Sequence, residues 1–265
     1  MKESINFNRA AAFYDATRKL RDDIADEITR ALLAEIRAAG ADRVLEVGIG
    51  TGRMARPLMR EGMQMVGVDI STEMMGQLVA QLTPEHTPPE LLLGDATALP
   101  FRDGAFRAAM VVHVLHLVRA PEDAIREIRR VLAPGGVLLH QTRRPDEDTR
   151  EMWDATYEAW GRLFEKRGYE RRRRQGEMNI IRERIKASGA SLRIVDVVYD
   201  EYVHTVKQDL DDVRERVHSW TWEVPDDILD ESLPEFAEWM YEHFGPPETE
   251  LVDRQTYEIE VWRWA

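Results

Sequence analysis

Val44-Leu45-Glu46-Val47-Gly48-Ile49-Gly50-Thr51-Gly52-Arg53 is the stretch whose reading decides the fold. Val44 to Val47 read as a short buried strand, and alternating glycines follow without a break. Glycine turns a backbone through positive φ and, lacking a Cβ, lets another molecule come close. A strand that runs through such a turn into a helix is how open α/β sheets hold nucleotide-like ligands, at the carboxyl ends of their strands. The dinucleotide fingerprint asks for Gly or Ala where Arg53 stands, so the match to a nicotinamide-nucleotide site is poor at the third glycine.

Upstream, Ile24, Ile28, Leu32 and Ile36 recur every four residues, the stripe of an amphipathic helix over Asp22 to Ala39, with Gly40 placed as its C-cap. Downstream, a helix carrying Leu58 and Met59 ends at Gly62. Met65 to Asp69 read as a second strand, and Ser71 is placed to N-cap a helix through Met74, Met75, Leu78 and Leu82. Thr83 to Pro89, with three prolines, is a loop. Leu91 to Asp95 and Ala109 to Val112 read as strands three and four. Pro121 suits the first turn of a helix with Ile125, Ile128, Val131 and Leu132 on its apolar face. Pro134-Gly135-Gly136 punctuates before a fifth strand, Val137 to His140. Short strands alternating with helices predict right-handed crossovers and a parallel sheet.

After Arg144 the rhythm changes. Residues 145–190 read as charged and mostly helical, with Trp153, Tyr157, Trp160 and Phe164 at three- and four-residue spacing; residues 194–203 are β-prone; 207–250 are again mostly helical and aromatic; Tyr257 to Trp264 alternate as a final strand.

With 265 residues, 43% hydrophobic and 32% charged, the chain suits one globular domain with an elaboration. A formal net charge of −13 argues against general affinity for nucleic-acid backbones. There is no cysteine, which excludes disulfides, thiolate metal sites and a cysteine nucleophile. The first residues lack the apolar core of a signal peptide, and the near-apolar run Ala108–Val118, interrupted by His113 and His116, is too short for a membrane span. A cytoplasmic protein is the expectation.

Two further acids follow strands: Asp69 after the second, about 20 residues beyond the first glycine, and Asp95 after the third. Each also reads as an ordinary strand-end acid or cap. Taken in order, Glu46-x-Gly48-x-Gly50-x-Gly52, Gly67-Val68-Asp69-Ile70-Ser71 with Met74, Gly94-Asp95-Ala96 with Leu99-Pro100-Phe101, and Leu132-Ala133-Pro134-Gly135-Gly136 make a series. That series resembles the class I S-adenosylmethionine-dependent methyltransferase family, most of all the group that includes the ubiquinone/menaquinone biosynthesis enzymes. The motifs cover residues 40–145; Phe106-Arg107 departs from the family's usual Phe-Asp.

The resemblance implies an α/β fold: a Rossmann-like, mostly parallel seven-stranded sheet with helices on both faces. It would form a single domain over 1–265, with N-terminal helices in 1–40, a cofactor-binding core in 41–145 and helical insertions at 145–190 and 207–250 near the substrate site. It implies S-adenosylmethionine as cofactor. The Glu46, Gly48, Gly50, Gly52 loop would approach the methionine moiety, Asp69 would hold the ribose, and Asp95 with Ala96 the adenine. Ile70 and Met74 would sandwich the purine, and the His113 backbone would lie near the methionine end. Phe13 to Arg18 resembles the family's entry helix, where Tyr14 or Arg18 would meet the methionine carboxylate.

In-line methyl transfer needs a dry, aligned pocket, and a general base only if the acceptor must lose a proton. His113, His116 and His140 are the candidate bases. A metal site at His113 and His116 is rejected, with no cysteine in the chain and no matched acid. The acceptor is read as a small molecule, with no nucleic-acid partner expected. Arg143 and Arg144 are better placed to meet an anionic substrate than the run Arg171–Arg174, which sits in an acidic context. The alternatives are an S-adenosylmethionine-binding protein without transferase activity, an RNA methyltransferase and a nucleotide-dependent oxidoreductase. Neither the acceptor atom nor the oligomeric state is legible.

Overall fold

A computed structural model describes residues 20–170, 177–222 and 224–264. The strands are β1 (Arg43–Val47), β2 (Gln64–Asp69), β3 (Glu90–Leu93), β4 (Phe106–Val112), β5 (Leu132–Pro145), β6 (Ala190–Thr205) and β7 (Glu250–Trp264). They form one sheet in the order β3-β2-β1-β4-β5-β7-β6. β1 pairs in parallel with β2 and β4, β2 with β3, and β4 with β5. The sheet is mostly parallel, with one antiparallel hairpin at its end. The helices are α1 (Asp22–Ala38), α2 (Ala55–Arg60), α3 (Thr72–Ala80), α4 (Pro121–Val131), α5 (Glu147–Lys166), α6 (Glu177–Ala187), α7 (Val206–Arg214) and α8 (Asp226–Phe244).

The chain divides into two compact units. The described parts of the first are 20–143, 177–198 and 257–264. Side chains alternate across a strand, so each of its strands feeds two cores. On one face Val44, Met65, Ala108, Met110, Val137, Leu139 and Ile259 pack with Ile24, Ile28, Leu32 and Ile36 of α1 and with Leu58 and Met59 of α2. On the other, Leu45, Val66, Ala109, Val111, Leu138 and Trp262 pack with Ile125 and Ile128 of α4 and Ile181 and Ile185 of α6. The four-residue stripe therefore buries as the sequence predicts, and helices cover both faces. Arg107, the departure from the family pattern, donates from Nε to the Ala39 carbonyl at the end of α1 (2.8 Å).

Pro134-Gly135-Gly136 lies inside β5 instead of before it. The ladder passes from Phe106↔Leu132 directly to Ala108↔Val137, so the intervening residues form an excursion within the strand. Gly136 is required there: an added Cβ would stand 2.9 Å from the Ala133 carbonyl and 3.1 Å from that of Arg107.

The second unit, whose described parts are 144–170, 199–222 and 224–256, has its own core. Trp160 and Phe164 of α5 and Phe236 of α8 are fully buried, and the Trp160 and Phe236 rings stack with centroids 3.9 Å apart. Trp220 packs on Trp160 at 5.6 Å, so this tryptophan is core packing. Asp146 caps α5 by accepting from the Thr149 N–H, and Thr205 with Gln208 forms a capping box at α7.

Candidate functional site

The site is built where β1 ends. Gly48, Gly50 and Gly52 all have positive φ (76°, 54° and 69°), a conformation that side chains strain against. The turn is stitched to β2: the Gly48 and Ile49 N–H groups donate to the Val68 carbonyl (2.7 and 3.2 Å), and the Gly50 N–H donates to Asp69 Oδ2 (2.8 Å). The three glycines do different work. A Cβ on Gly48 would strike Val114 at 2.5 Å, and one on Gly52 would strike Leu78 at 2.3 Å, so these two are glycines because side chains fill the space. Among the described residues a Cβ on Gly50 meets only the Met74 methyl, at 3.3 Å.

Asp69 closes β2, and its other oxygen accepts from the Ser71 N–H (2.9 Å). Desolvation raises its pKa, against the opposing pull of the Ser71, Gly50 and Ile70 backbone groups. Ser71 in turn caps α3, accepting from the Met74 N–H (3.0 Å), which fixes Met74 beside the turn. Asp95 is exposed beyond β3, and both its hydrogen bonds, from the Thr97 N–H and hydroxyl, land on Oδ1.

One pocket gathers these groups. Glu46, Gly48, Gly50, Asp69, Ile70, Met74, Asp95, Ala96 and His113 all line it, nine positions drawn from the ends of four strands. Gly52 lies behind the wall, and neither His116 nor His140 lines the pocket. Tyr14, Arg18 and Arg171–Arg174 lie outside the described residues. Wall positions not among the predicted site residues include Arg53, Met54, Val114, Leu117 and Val118. The near-apolar run after β4 was the available signal for the last three, since a loop that stays apolar needs something to cover.

The electrostatics single out Glu46. It is 2% exposed, and its Oε2 has no hydrogen-bond partner among the described residues. Desolvation pushes its pKa up to about 8; Asp69 adds to the rise and Arg53 opposes it. His113 adopts φ 51°, uncommon for a side-chain-bearing residue. Burial holds its pKa well below the ordinary imidazole range, helped by the positive charges of Arg53, Arg143, His116 and His140. It is therefore neutral. His140 is elsewhere engaged: it is 2% exposed, and its Nδ1 pairs with Glu260 Oε2 at 3.0 Å. Among the described residues no group of three or more His, Cys, Asp or Glu side chains is arranged to hold a metal ion, and no helix is long and apolar enough to cross a membrane.

Comparison with known proteins bears on the same residues. Residues 45–140 match the methyltransferase domain family. The chain is 33% identical over 134 residues to a demethylmenaquinone methyltransferase of Renibacterium salmoninarum, covering 50% of this chain and 55% of that protein. It is 29% identical over 151 residues to a malonyl-[acyl-carrier protein] O-methyltransferase of Enterobacter lignolyticus, covering 56% and 57%. The chain thus spans about half the length of the curated relatives it matches. The crystal structure of the [4+2]-cyclase SpnF superposes with a TM-score of 0.57 at 18% identity, over 97% of this chain and 93% of that one, a likeness of fold alone. Residues 45–140, with their glycine turn and the acids at the ends of three successive strands, match the methyltransferase domain family and are similar to demethylmenaquinone and ubiquinone/menaquinone biosynthesis methyltransferases.

Proposed function

We propose that this protein transfers a methyl group from S-adenosylmethionine to a small-molecule acceptor. The observation that carries the reading is the buried Glu46 carboxyl, which lines the pocket with one oxygen unpartnered among the described residues. A buried polar group without a partner is costly, and a cationic amino-acid tail is the partner this one fits. Asp69 holds the turn through the Gly50 N–H on one oxygen and the Ser71 N–H on the other, and its remaining lone pairs would serve ribose hydroxyls. The second oxygen of Asp95 would accept from the adenine amino group, the Ala96 N–H would serve a ring nitrogen, and Ile70 and Met74 would hold the purine between them.

S-adenosylmethionine, when bound, supplies an electrophilic methyl on a sulfonium sulfur. What remains for the chain is to align an acceptor and keep water out. Val114, Leu117 and Val118 give the wall on that side an apolar surface. His113, neutral on the same wall, has the lone pair needed to take a proton from an acceptor that loses one. The two curated relatives are named for different acceptors, a demethylmenaquinone and a malonyl-carrier conjugate. An organic acceptor is their common ground, and the negative charge of the chain disfavours RNA.

Calorimetry with S-adenosylhomocysteine and, separately, NADH tests the reading. Binding of the first and not the second is expected. Asp95→Ala, at an exposed position, should leave the fold intact and weaken S-adenosylhomocysteine about ten- to a hundredfold, the worth of a hydrogen bond to a charged group. Unchanged affinity would remove Asp95 from the site.

A further inference from the structure

Glu46 is an awkward place to keep a negative charge. It sits on β1 beside Gly67 of β2 and Met110 of β4, neither of which donates a side-chain hydrogen bond. Among the described residues the charged or titratable groups that bear on it from the surrounding elements are Arg53 of the glycine turn and Asp69 at the end of β2, which act in opposite senses. His113, on the same pocket wall after β4, is neutral and brings no positive charge. A carboxyl so buried, with an unpartnered oxygen, resolves its desolvation by holding a proton.

We propose that Glu46 is protonated in the ligand-free protein and releases that proton to solvent when the ammonium group of the donor's amino-acid tail docks against it. The inference rests on the cofactor reading above and adds a coupling to it. Charge balances: a neutral carboxyl and a tail ammonium become a carboxylate–ammonium pair, and one proton leaves. The elevated Glu46 pKa of about 8 supports this, since it leaves the group mostly neutral at pH 7.

Two consequences follow. Affinity falls as pH drops below 8, by up to about tenfold per pH unit, because protons compete with the ammonium for one carboxylate. S-adenosylhomocysteine carries the same tail, so the coupling acts equally on donor and product and tunes occupancy without favouring either.

The test is calorimetry of the full chain with S-adenosylhomocysteine at pH 7, in phosphate and in Tris, whose ionisation enthalpies differ widely. Close to one proton released is expected for the wild type, declining toward none at pH 9. 5′-Methylthioadenosine, which lacks the amino-acid tail, should bind without proton release, and Glu46→Gln should bind S-adenosylhomocysteine more weakly and release none. Binding with the same heat in both buffers overturns the coupling while leaving the cofactor reading intact. Release that persists in Glu46→Gln also overturns it, since the proton then comes from another group or from the ligand's own amine. Absence of any S-adenosylhomocysteine binding overturns the cofactor reading itself, and the coupling with it.

Discussion

Glu46 and Glu260 stand on two strands of one sheet and are almost equally hidden, at 2% and 1% exposure, yet their pKa values are pushed in opposite directions. At Glu260 desolvation raises the pKa as it does at Glu46. There, however, it is more than offset by the hydrogen bond and charge of His140 and by the charge of Arg182, so the net shift is downward. One Glu260 oxygen accepts from Arg182 Nε (2.6 Å), and the other accepts from Trp262 Nε1 and pairs with His140 Nδ1 (both 3.0 Å). Glu46 instead has an oxygen with no partner among the described residues. Burial alone does not set the charge of a carboxyl; the count of donors around it does. A satisfied buried carboxylate belongs to the architecture, whereas an unsatisfied one at a strand end marks where something else is meant to arrive.

The sharpest way to break that contrast is to delete each carboxyl. Glu260→Ala leaves His140 and Arg182 facing a void, and the loss should be about 3–5 kcal/mol of unfolding free energy, as for other broken buried ion pairs. Glu46→Ala at pH 8 removes a group that only strains the ligand-free fold and should be far milder. Urea unfolding of both variants decides. Equal losses would show that the two sites differ in the arithmetic of partners but not in energy.

Titration sharpens the same contrast. Glu46 has its folded pKa raised from 4.5 to about 8, so the native state binds more protons than the unfolded chain between those values, and stability falls as pH rises across that window. The slope approaches about 1.4 kcal/mol per pH unit for one proton, and Glu46→Gln should abolish it. Glu260 has its folded pKa lowered, so its contribution is present above the unfolded value of 4.5 and disappears as pH falls through the folded one. Glu260→Gln should therefore flatten the acid limb only. His204 in the second unit adds a separate slope. Burial depresses its pKa, but Asp209 and Asp253 bring it to about 9, so its contribution is complete below 6.5 and fades as pH rises toward 9. Subtracting the wild-type curve from that of Glu46→Gln cancels this term. A flat difference between pH 5 and 8 would mean that Glu46 is solvated after all.

Only one half of this contrast was legible in the sequence. Glu46, Asp69 and Asp95 announce themselves because strand, turn and acid are adjacent in the chain, and local order fixes their place at the carboxyl end of the sheet. The Glu260 cluster is invisible there, since His140 and Arg182 lie 120 and 78 residues away and meet it only through packing. His140 accordingly reads as a candidate base, while the structure gives its Nδ1 to a buried carboxylate. The fold divides the same way. Strand–helix alternation over 41–145 predicts the parallel sheet, and the turn signal at Pro134-Gly135-Gly136 is real, but only the register with β4 shows that it interrupts a strand without ending it. In the same manner the motif reading gives Gly48 and Gly52 one reason to be glycine, the ligand, and the packing adds a second, since Val114 and Leu78 fill the space a Cβ would take. Only tertiary neighbours reveal that a glycine is empty for a side chain's sake.

Gly50 offers the smallest and most discriminating perturbation of the Glu46 end. Its φ of 54° penalises an L side chain by about 1 kcal/mol, and among the described residues the only atom near an added Cβ is the terminal methyl of Met74, at 3.3 Å, the far end of a flexible chain. Gly50→Ala should therefore lower stability by about that amount while keeping the Gly50 N–H on Asp69 and leaving Glu46 buried, so the falling limb between pH 5 and 8 should survive at full slope. Gly52→Ala, with Leu78 at 2.3 Å, adds overpacking to a similar backbone strain and should lose more. If Gly50→Ala erased the limb, the proton on Glu46 would depend on the exact path of the turn above it instead of on the strand beneath, and the contrast with Glu260 would be a property of one loop conformation. Persistence of the limb ties the missing partner to the sheet itself, the part of the fold least free to rearrange when a ligand binds.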